Sequence, residues 1–244
     1  MTRIHVPGPI EAGGECALSA AHGHHLHGVL RLKPGDALVL FDGAGAEYGA
    51  TVLRAGKRGV TVTVGERRTV SRESPLAVTL AQAVSSGERM DYTVQKAVEL
   101  GAAAIQPLAA SRSVVRLSGE RAGRRALHWQ AVAIAACEQC GRNHVPSVGA
   151  VLPLDRWLAG LPGAGDGARR LLLTPRADAR LRDLEAPRYP VILLAGPEGG
   201  FTPEEEAAAR RSGFEPLGLG PRVLRTETAA VAALAAMQSL WGDA

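Results

Sequence analysis

The sequence has little cysteine, few aromatics, almost no lysine and no long apolar run. Cys16, Cys137 and Cys140 are the only cysteines in 244 residues. That excludes a disulfide-stapled scaffold, and a reduced compartment is expected. Cys137 and Cys140 have C-x-x-C spacing, but no second pair completes a zinc site. They lie in an alanine-rich helical pattern, where residues three apart simply share a face. No stretch is long enough to span a membrane. The residues from Met1 to Ala17 hold no apolar run of the length a secretory leader needs, so a cytoplasmic protein is expected. Aromatics make up 4% of the chain, and Lys33, Lys57 and Lys96 are its only lysines. The other basic residues are arginine, which fits a GC-rich coding bias and phosphate clamps alike.

Several chemical motifs are missing too. No G-x-G-x-x-G follows the first strand of the larger half, and no G-x-x-x-x-G-K-[ST] occurs. Neither a dinucleotide fold nor a phosphate-binding P-loop is indicated. No Ser-His-Asp, Cys-His or paired-carboxylate constellation is evident. His22, His24, His25 and His27 invite a metal reading, but no carboxylate or cysteine pattern supports it. A short helix is expected there, and no metal. What is present is ordinary globular material, 46% hydrophobic and 21% charged, with a formal net charge of +4. The charge mildly favours a polyanionic partner.

The chain divides near residue 72. Residues 37–41, 47–53 and 59–64 read as strands with turn signals between them, so residues 1–72 are expected to form a small β-barrel. Residues 70–75 are polar, end in proline and read as a linker. In residues 73–244, apolar runs at 76–81, 103–107, 171–175 and 191–195 alternate with helical patterns at 87–100 and 120–140. That alternation predicts a parallel sheet with helices on both faces.

One stretch organises the second half. Residues 191–195, VILLA, read as a strand buried on both faces. GPEGGF follows, a loop that leaves backbone amides open to close approach. Thr202, Pro203 and Glu205 then spell a capping box with proline at the first helical position. A second strand at 216–219 runs into Gly220-Pro221, then Arg222-Val223-Leu224-Arg225. Thr226 is expected to cap a last helix, with Glu227 in its first turn. That helix, nearly all alanine, leucine, valine and methionine, needs burial on most sides. Two glycine loops beside apolar strand ends suit a flat heterocycle, read by backbone groups and packed by Leu194, Leu219 and Leu224.

GPEGGFTPEE followed by LGLGPRVLRTETAAVAAL resembles the C-terminal half of the SPOUT RNA methyltransferases. HHLHGVLRL, GD and FDG resemble the N-terminal domain of one family within them. The resemblance covers essentially the whole chain. It implies a PUA-like RNA-binding barrel over residues 1–72 and a trefoil-knotted α/β domain over 73–244. A knot is rare among folds, so only the resemblance implies it. It further implies a homodimer, with S-adenosyl-L-methionine as cofactor and 16S ribosomal RNA, or the small ribosomal subunit, as partner. The reaction implied is methylation of a uridine N3; another ribosomal or transfer RNA site, or a non-catalytic RNA-binding assembly role, remains open. Cofactor contacts are expected from Leu173, Thr174, Leu194, Gly196, Pro197, Gly200, Leu219, Gly220, Val223, Leu224 and Arg225. Arg225 is the expected cation beside the uridine oxygens, with Glu198 and Glu227 as base or orienting carboxylates. Glu138 to Arg142 resembles the family's EQ-x-x-R element, which implies an active-site lining. RNA contacts are expected at Arg31, Arg112, Gln139 and Arg142.

Overall fold

The computed structural model describes residues 1–19, 31–56, 59–163 and 167–244. The helix expected around His22–His27 lies outside the described residues. The chain clusters into two units, Met1–Glu73 with Cys137–Val145, and Ser74–Ala136 with Pro146–Ala244.

The first unit is built on β1 (Arg3–His5), β2 (Glu15–Ala17), β3 (Ala37–Phe41), β4 (Ala46–Gly56) and β5 (Gly59–Thr69), in the order β1-β3-β4-β5-β2. β1 runs parallel to β3, and the other pairs are antiparallel. The period of two seen in the sequence governs burial. Val60, Val62 and Val64 point into the core with Leu38, Leu40, Ala50 and Val52, whereas Thr51, Leu53 and Thr63 are exposed.

A returning segment completes this unit. Asn143 Nδ2 donates to Glu47 Oε2 at 3.1 Å and to the Val70 carbonyl at 2.8 Å. Glu47 also accepts from Arg3 at 2.9 Å and Arg72 at 3.1 Å. Burial works to raise the Glu47 carboxyl, but these donors prevail and hold it below its usual range. Compactness therefore groups residues 137–145 with a sheet far away in sequence, which a single cut near residue 72 does not anticipate.

The second unit runs β6 (Val78–Ala83), α1 (Glu88–Glu99), β7 (Ala104–Ala109), α2 (Gly119–Cys140), β8 (Ser147–Val148), β9 (Leu152–Pro153) and α3 (Leu154–Ala159). It continues with β10 (Arg169–Leu173), a 3-10 turn at Leu181–Asp183, β11 (Val191–Ala195), α4 (Pro203–Arg211), β12 (Glu215–Leu217) and α5 (Thr226–Trp241). The last residues of α2 count with the first unit. The strand order is β12-β10-β11-β6-β7-β8, with β9 also on β7, and every pairing is parallel. Strands without a solvated face must be apolar throughout, and LLL in β10 and VILLA in β11 are.

Helices cover both faces of the sheet. α1 buries Met90, Val94 and Val98, the face its four-residue spacing predicts, and packs with α5. Gly101, at φ 78°, ends α1 in the left-handed region as expected. α3 and α4 pack together, and Leu154, Leu158, Phe201, Ala209 and Phe214 share one core with Leu108, Leu172 and Leu194. The expected capping box of α4 forms: Glu205 N donates to Thr202 Oγ1 at 3.2 Å and Thr202 N to Glu205 Oε2 at 2.9 Å.

After β12 the chain turns back from the sheet edge towards β11 and β6, where α5 begins. On the way it is clasped by the 174–190 segment: Thr174 N donates to the Leu217 carbonyl at 3.1 Å and Gly218 N to the Ala179 carbonyl at 2.9 Å. A Cβ on Gly218 would collide with the Ala177 carbonyl oxygen, so only glycine fits this crossing.

Candidate active site

The C-terminal ends of β10, β11 and β12 surround a cleft of about 610 Å³, where open parallel sheets place ligands. Two glycine loops form its walls. The first, residues 196–201, follows β11. The second, residues 218–225, leads into α5. Leu173, Leu217, Leu219, Val223 and Leu224 supply apolar surface. Five arginines, Arg89, Arg112, Arg176, Arg222 and Arg225, line it against two glutamates, Glu198 and Glu206, so the cleft favours an anion.

Hydrogen bonds tie the first loop to the start of α5. Thr226 Oγ1 donates to the Gly196 carbonyl at 2.6 Å. Gln82 Nε2, on a fully buried side chain at the end of β6, donates to Thr226 Oγ1 at 3.0 Å and to Gly196 O at 3.3 Å. Here the structure corrects the sequence reading. Thr226 is the first residue of α5 and does not cap it; Arg225 stands at the cap, with no side-chain capping bond. The Thr226 hydroxyl donates to the Gly196 carbonyl and accepts from Gln82 rather than from an amide of its own helix.

The first loop is also held from outside. Arg112 Nη1 donates to the Gly199 carbonyl at 3.2 Å and the Phe201 carbonyl at 3.3 Å. Glu198 Oε1 accepts from Ser86 N at 2.8 Å, Ser86 Oγ at 2.9 Å and Arg89 Nη1 at 3.1 Å. Burial works to raise the Glu198 carboxyl, yet the bonds from Ser86 and Arg89 outweigh it and hold the carboxyl below its usual range. A carboxylate with its proton affinity lowered and one oxygen committed to three donors is a weak general base, so its geometry is that of a loop anchor. Because the folded value is lowered, this anchor contributes fully above the ordinary carboxylate range. It is lost as pH falls through the folded value.

Of the residues expected at the cofactor, Leu173, Thr174, Gly196, Pro197, Gly200, Leu219, Gly220, Val223, Leu224 and Arg225 line this cleft together. Leu194 does not. It is fully buried in the core with Phe201 and Phe214, and Ala195 takes the place at the wall. In an all-apolar strand nothing in the pattern says which face a residue takes. Glu227 is not among the lining residues either; its Oε1 lies 3.8 Å from Arg89 Nε. Arg89 and Ser86 were missed by the sequence reading. Ser85-Ser86-Gly87, directly after the C-terminal end of β6, was the available signal.

The residues expected at RNA fall apart. Arg112 is exposed at the cleft, where it clamps loop carbonyls. Arg31 and Gln139 are exposed in the first unit. Arg142 is a correction: its side chain is 6% exposed and its guanidinium engages the Glu73 carboxylate through Nε, at 3.0 Å and 3.2 Å, and Nη2. Glu138, in the same EQ-x-x-R element, accepts from His5 N at 2.9 Å. The contacts of Glu138 and Arg142 thus lie within the first unit. Arg142→Ala strands a largely buried carboxylate and should cost about 3 kcal/mol of stability, read as a lower melting temperature.

Among the described residues no group of three or more His, Cys, Asp or Glu could hold a metal ion. Cys137 is buried, and burial pushes its thiol up to about 12, so no reactive thiolate forms. No described helix is long and apolar enough to cross a membrane.

The parallel sheet, its returning C-terminal segment and the cleft between two glycine loops fall within an RNA methyltransferase domain. The family model for the RNA methyltransferase domain matches residues 72–238, and that for the RNA methyltransferase PUA domain matches residues 18–65. The chain belongs to the ribosomal RNA small subunit methyltransferase E family. It is 34% identical to that enzyme of Mycobacterium tuberculosis over 93% of this chain and 87% of the relative. Among solved structures, the Neisseria gonorrhoeae enzyme of that name, bound to S-adenosyl methionine, superposes with a TM-score of 0.94 at 42% identity, covering 100% of this chain and 99% of the other. A putative methyltransferase of Legionella pneumophila, in complex with the same cofactor, does so with a TM-score of 0.94 at 41% identity and the same coverage.

Proposed function

We propose that the chain methylates N3 of a uridine in 16S ribosomal RNA, using S-adenosyl-L-methionine. The observation that carries this is the cleft itself: two glycine loops, pinned together by Thr226 and Gln82, between apolar walls and a rim of arginines. The residues present fit the cofactor. Gly200 at φ 65° and Gly220 at φ 113° would each place an added Cβ in open space, so the main chain is bare to a ligand there. Leu173, Leu219 and Leu224 would flank a flat base, and backbone groups of both loops would hold its edge.

When bound, the cofactor supplies an electrophilic methyl group. The chain's task is to make N3 a nucleophile. That nitrogen carries a proton between two carbonyls, and losing it to solvent water places negative charge on the ring oxygens. Arg225 is exposed at the start of α5 and lines the cleft, with no ion pair among the described residues. It is the residue assigned to that charge. Glu198 orients the first loop, and Glu227 acts from behind the wall. The carboxylates are therefore orienting groups in this reading.

Residues 1–72 are assigned as the PUA-like RNA-binding domain, with Arg31 at its surface, and residues 73–244 as the methyltransferase domain. A ribosomal substrate places the protein in the cytoplasm. We further assign a homodimer through α5 and α1, which leave Leu240 at 51% and Tyr92 at 47% exposure beside a helix of mostly small apolar residues. Sedimentation at micromolar concentration should show a dimer; a stable monomer would remove α5 from any interface.

The test of substrate is direct. Purified protein with labelled cofactor should label small-subunit RNA or subunits and leave transfer RNA unlabelled. Label in transfer RNA alone would reassign the substrate, and no cofactor binding by calorimetry would end the enzyme reading.

A further inference from the structure

We propose that Arg89 is a positioning residue for methyl transfer, acting through Glu198 and Glu227 so that α1 sets the geometry of the first glycine loop. The proposal rests on the methyltransferase reading above. Arg89 stands in the first turn of α1, well away in sequence from the loops it serves. Its Nη1 donates to Glu198 Oε1 at 3.1 Å, and its Nε lies 3.8 Å from Glu227 Oε1. Among the described residues it is the one cation paired with either carboxylate.

These contacts close a ring. Arg89 holds Glu198, which sits two residues after Gly196. The Gly196 carbonyl holds Thr226, and Thr226 is followed by Glu227, which returns to Arg89. The ring therefore fixes the first loop against the end of the second at two points. Glu198 Oε2 and Glu227 Oε2 are both buried without a hydrogen-bond partner, so each carboxylate is gripped on one oxygen only. Without Arg89, Glu227 keeps no ion pair among the described residues. Glu198 keeps its bonds from Ser86 and loses its ion pair.

Stability alone is a poor account of this pairing. The Arg89 side chain is 41% exposed, and ion pairs so wetted contribute little to folding. A planar guanidinium bridging two carboxylates does fix orientation. Loop geometry matters greatly to a transfer in which the reacting atoms must be in line. The rival account is that Arg89, which also lines the cleft, touches cofactor or RNA itself.

A double-mutant cycle between Arg89→Met and Glu198→Gln separates the two accounts. It is read in the full-length protein by single-turnover rate, by calorimetric cofactor affinity, and by hydrogen exchange of residues 196–201 without ligand. Arg89→Gln replaces Arg89→Met if the latter melts early. Each single variant should slow transfer about tenfold, and the double variant should be no slower than the slower single one. Exchange in 196–201 should rise in both, and Arg89→Lys should restore the rate to within about threefold of wild type. Additive losses, about a hundredfold in the double variant, with loop exchange unchanged, would show Arg89 acting on a ligand and overturn the proposal. Wild-type protein that binds no cofactor would instead sink the methyltransferase reading.

Discussion

Arg225→Ala is expected to slow single-turnover methyl transfer by ~10²–10³-fold, the loss typical of removing one donor from an oxyanion site. Cofactor affinity should change little, because the cofactor's walls are leucines and loop backbone. The reason is when the interaction forms. Charge appears on the uridine oxygens only as N3 gives up its proton, so a cation there stabilises the transition state more than either bound substrate. Raising the pH should restore part of the rate, since more uridine ionises unaided. Arg225→Lys should recover only part, as a point charge does not reproduce a planar fork. An Arg225 that clamps RNA phosphate or the cofactor's carboxylate behaves differently. The defect would then appear as weak binding, overcome by excess ligand, with no rescue by pH. Rates at saturating RNA and cofactor over a pH series decide between them.

Gly220→Val should lower cofactor affinity by roughly a hundredfold or more, with only a modest fall in the ligand-free melting temperature from backbone strain. Gly220 sits at φ 113°, where a branched residue is strained whatever the space around it. No protein atom lies within 4 Å of the added Cβ, so the change does not disturb the core. It alters the loop backbone that the ligand must approach. Gly196→Val makes a contrast. There the added Cβ meets the Phe201 ring at 3.3 Å and the Gly200 Cα at 3.4 Å, and Phe201 is a buried core residue. That variant should lose affinity and fall further in melting temperature. Calorimetry together with thermal melts of the ligand-free proteins reads both. Unchanged affinity in either variant would mean the cofactor sits elsewhere.

What could be read from the sequence was what is local. VILLA and LLL announce strands buried on both faces because a parallel sheet leaves neither face wet. The capping box of α4 involves residues three apart, so its chemistry is complete within one turn. Where a partner lies far along the chain, local rules mislead. Thr226 looks like a cap, but its hydroxyl is taken by Gly196, 30 residues away, and by Gln82, 144 residues away. Arg142 looks like a free arginine, but Glu73, 69 residues earlier, holds it. Leu194 shows a different limit: five apolar residues in a row carry no alternation, so the face each one takes is decided by the sheet. Arg89 lies in a helix whose apolar spacing drew attention to its buried side. Its role shows only when the helix is set beside the two loops.

The account depends most on the reaction itself. Its most direct test is nucleoside mass spectrometry of small-subunit ribosomal RNA from a strain lacking this protein, before and after treatment with purified protein and cofactor. One 3-methyluridine should be missing from the untreated RNA or subunits and restored by the treatment. A full complement of 3-methyluridine in the deletion strain would contradict the account, as would a methyl group restored at any other atom.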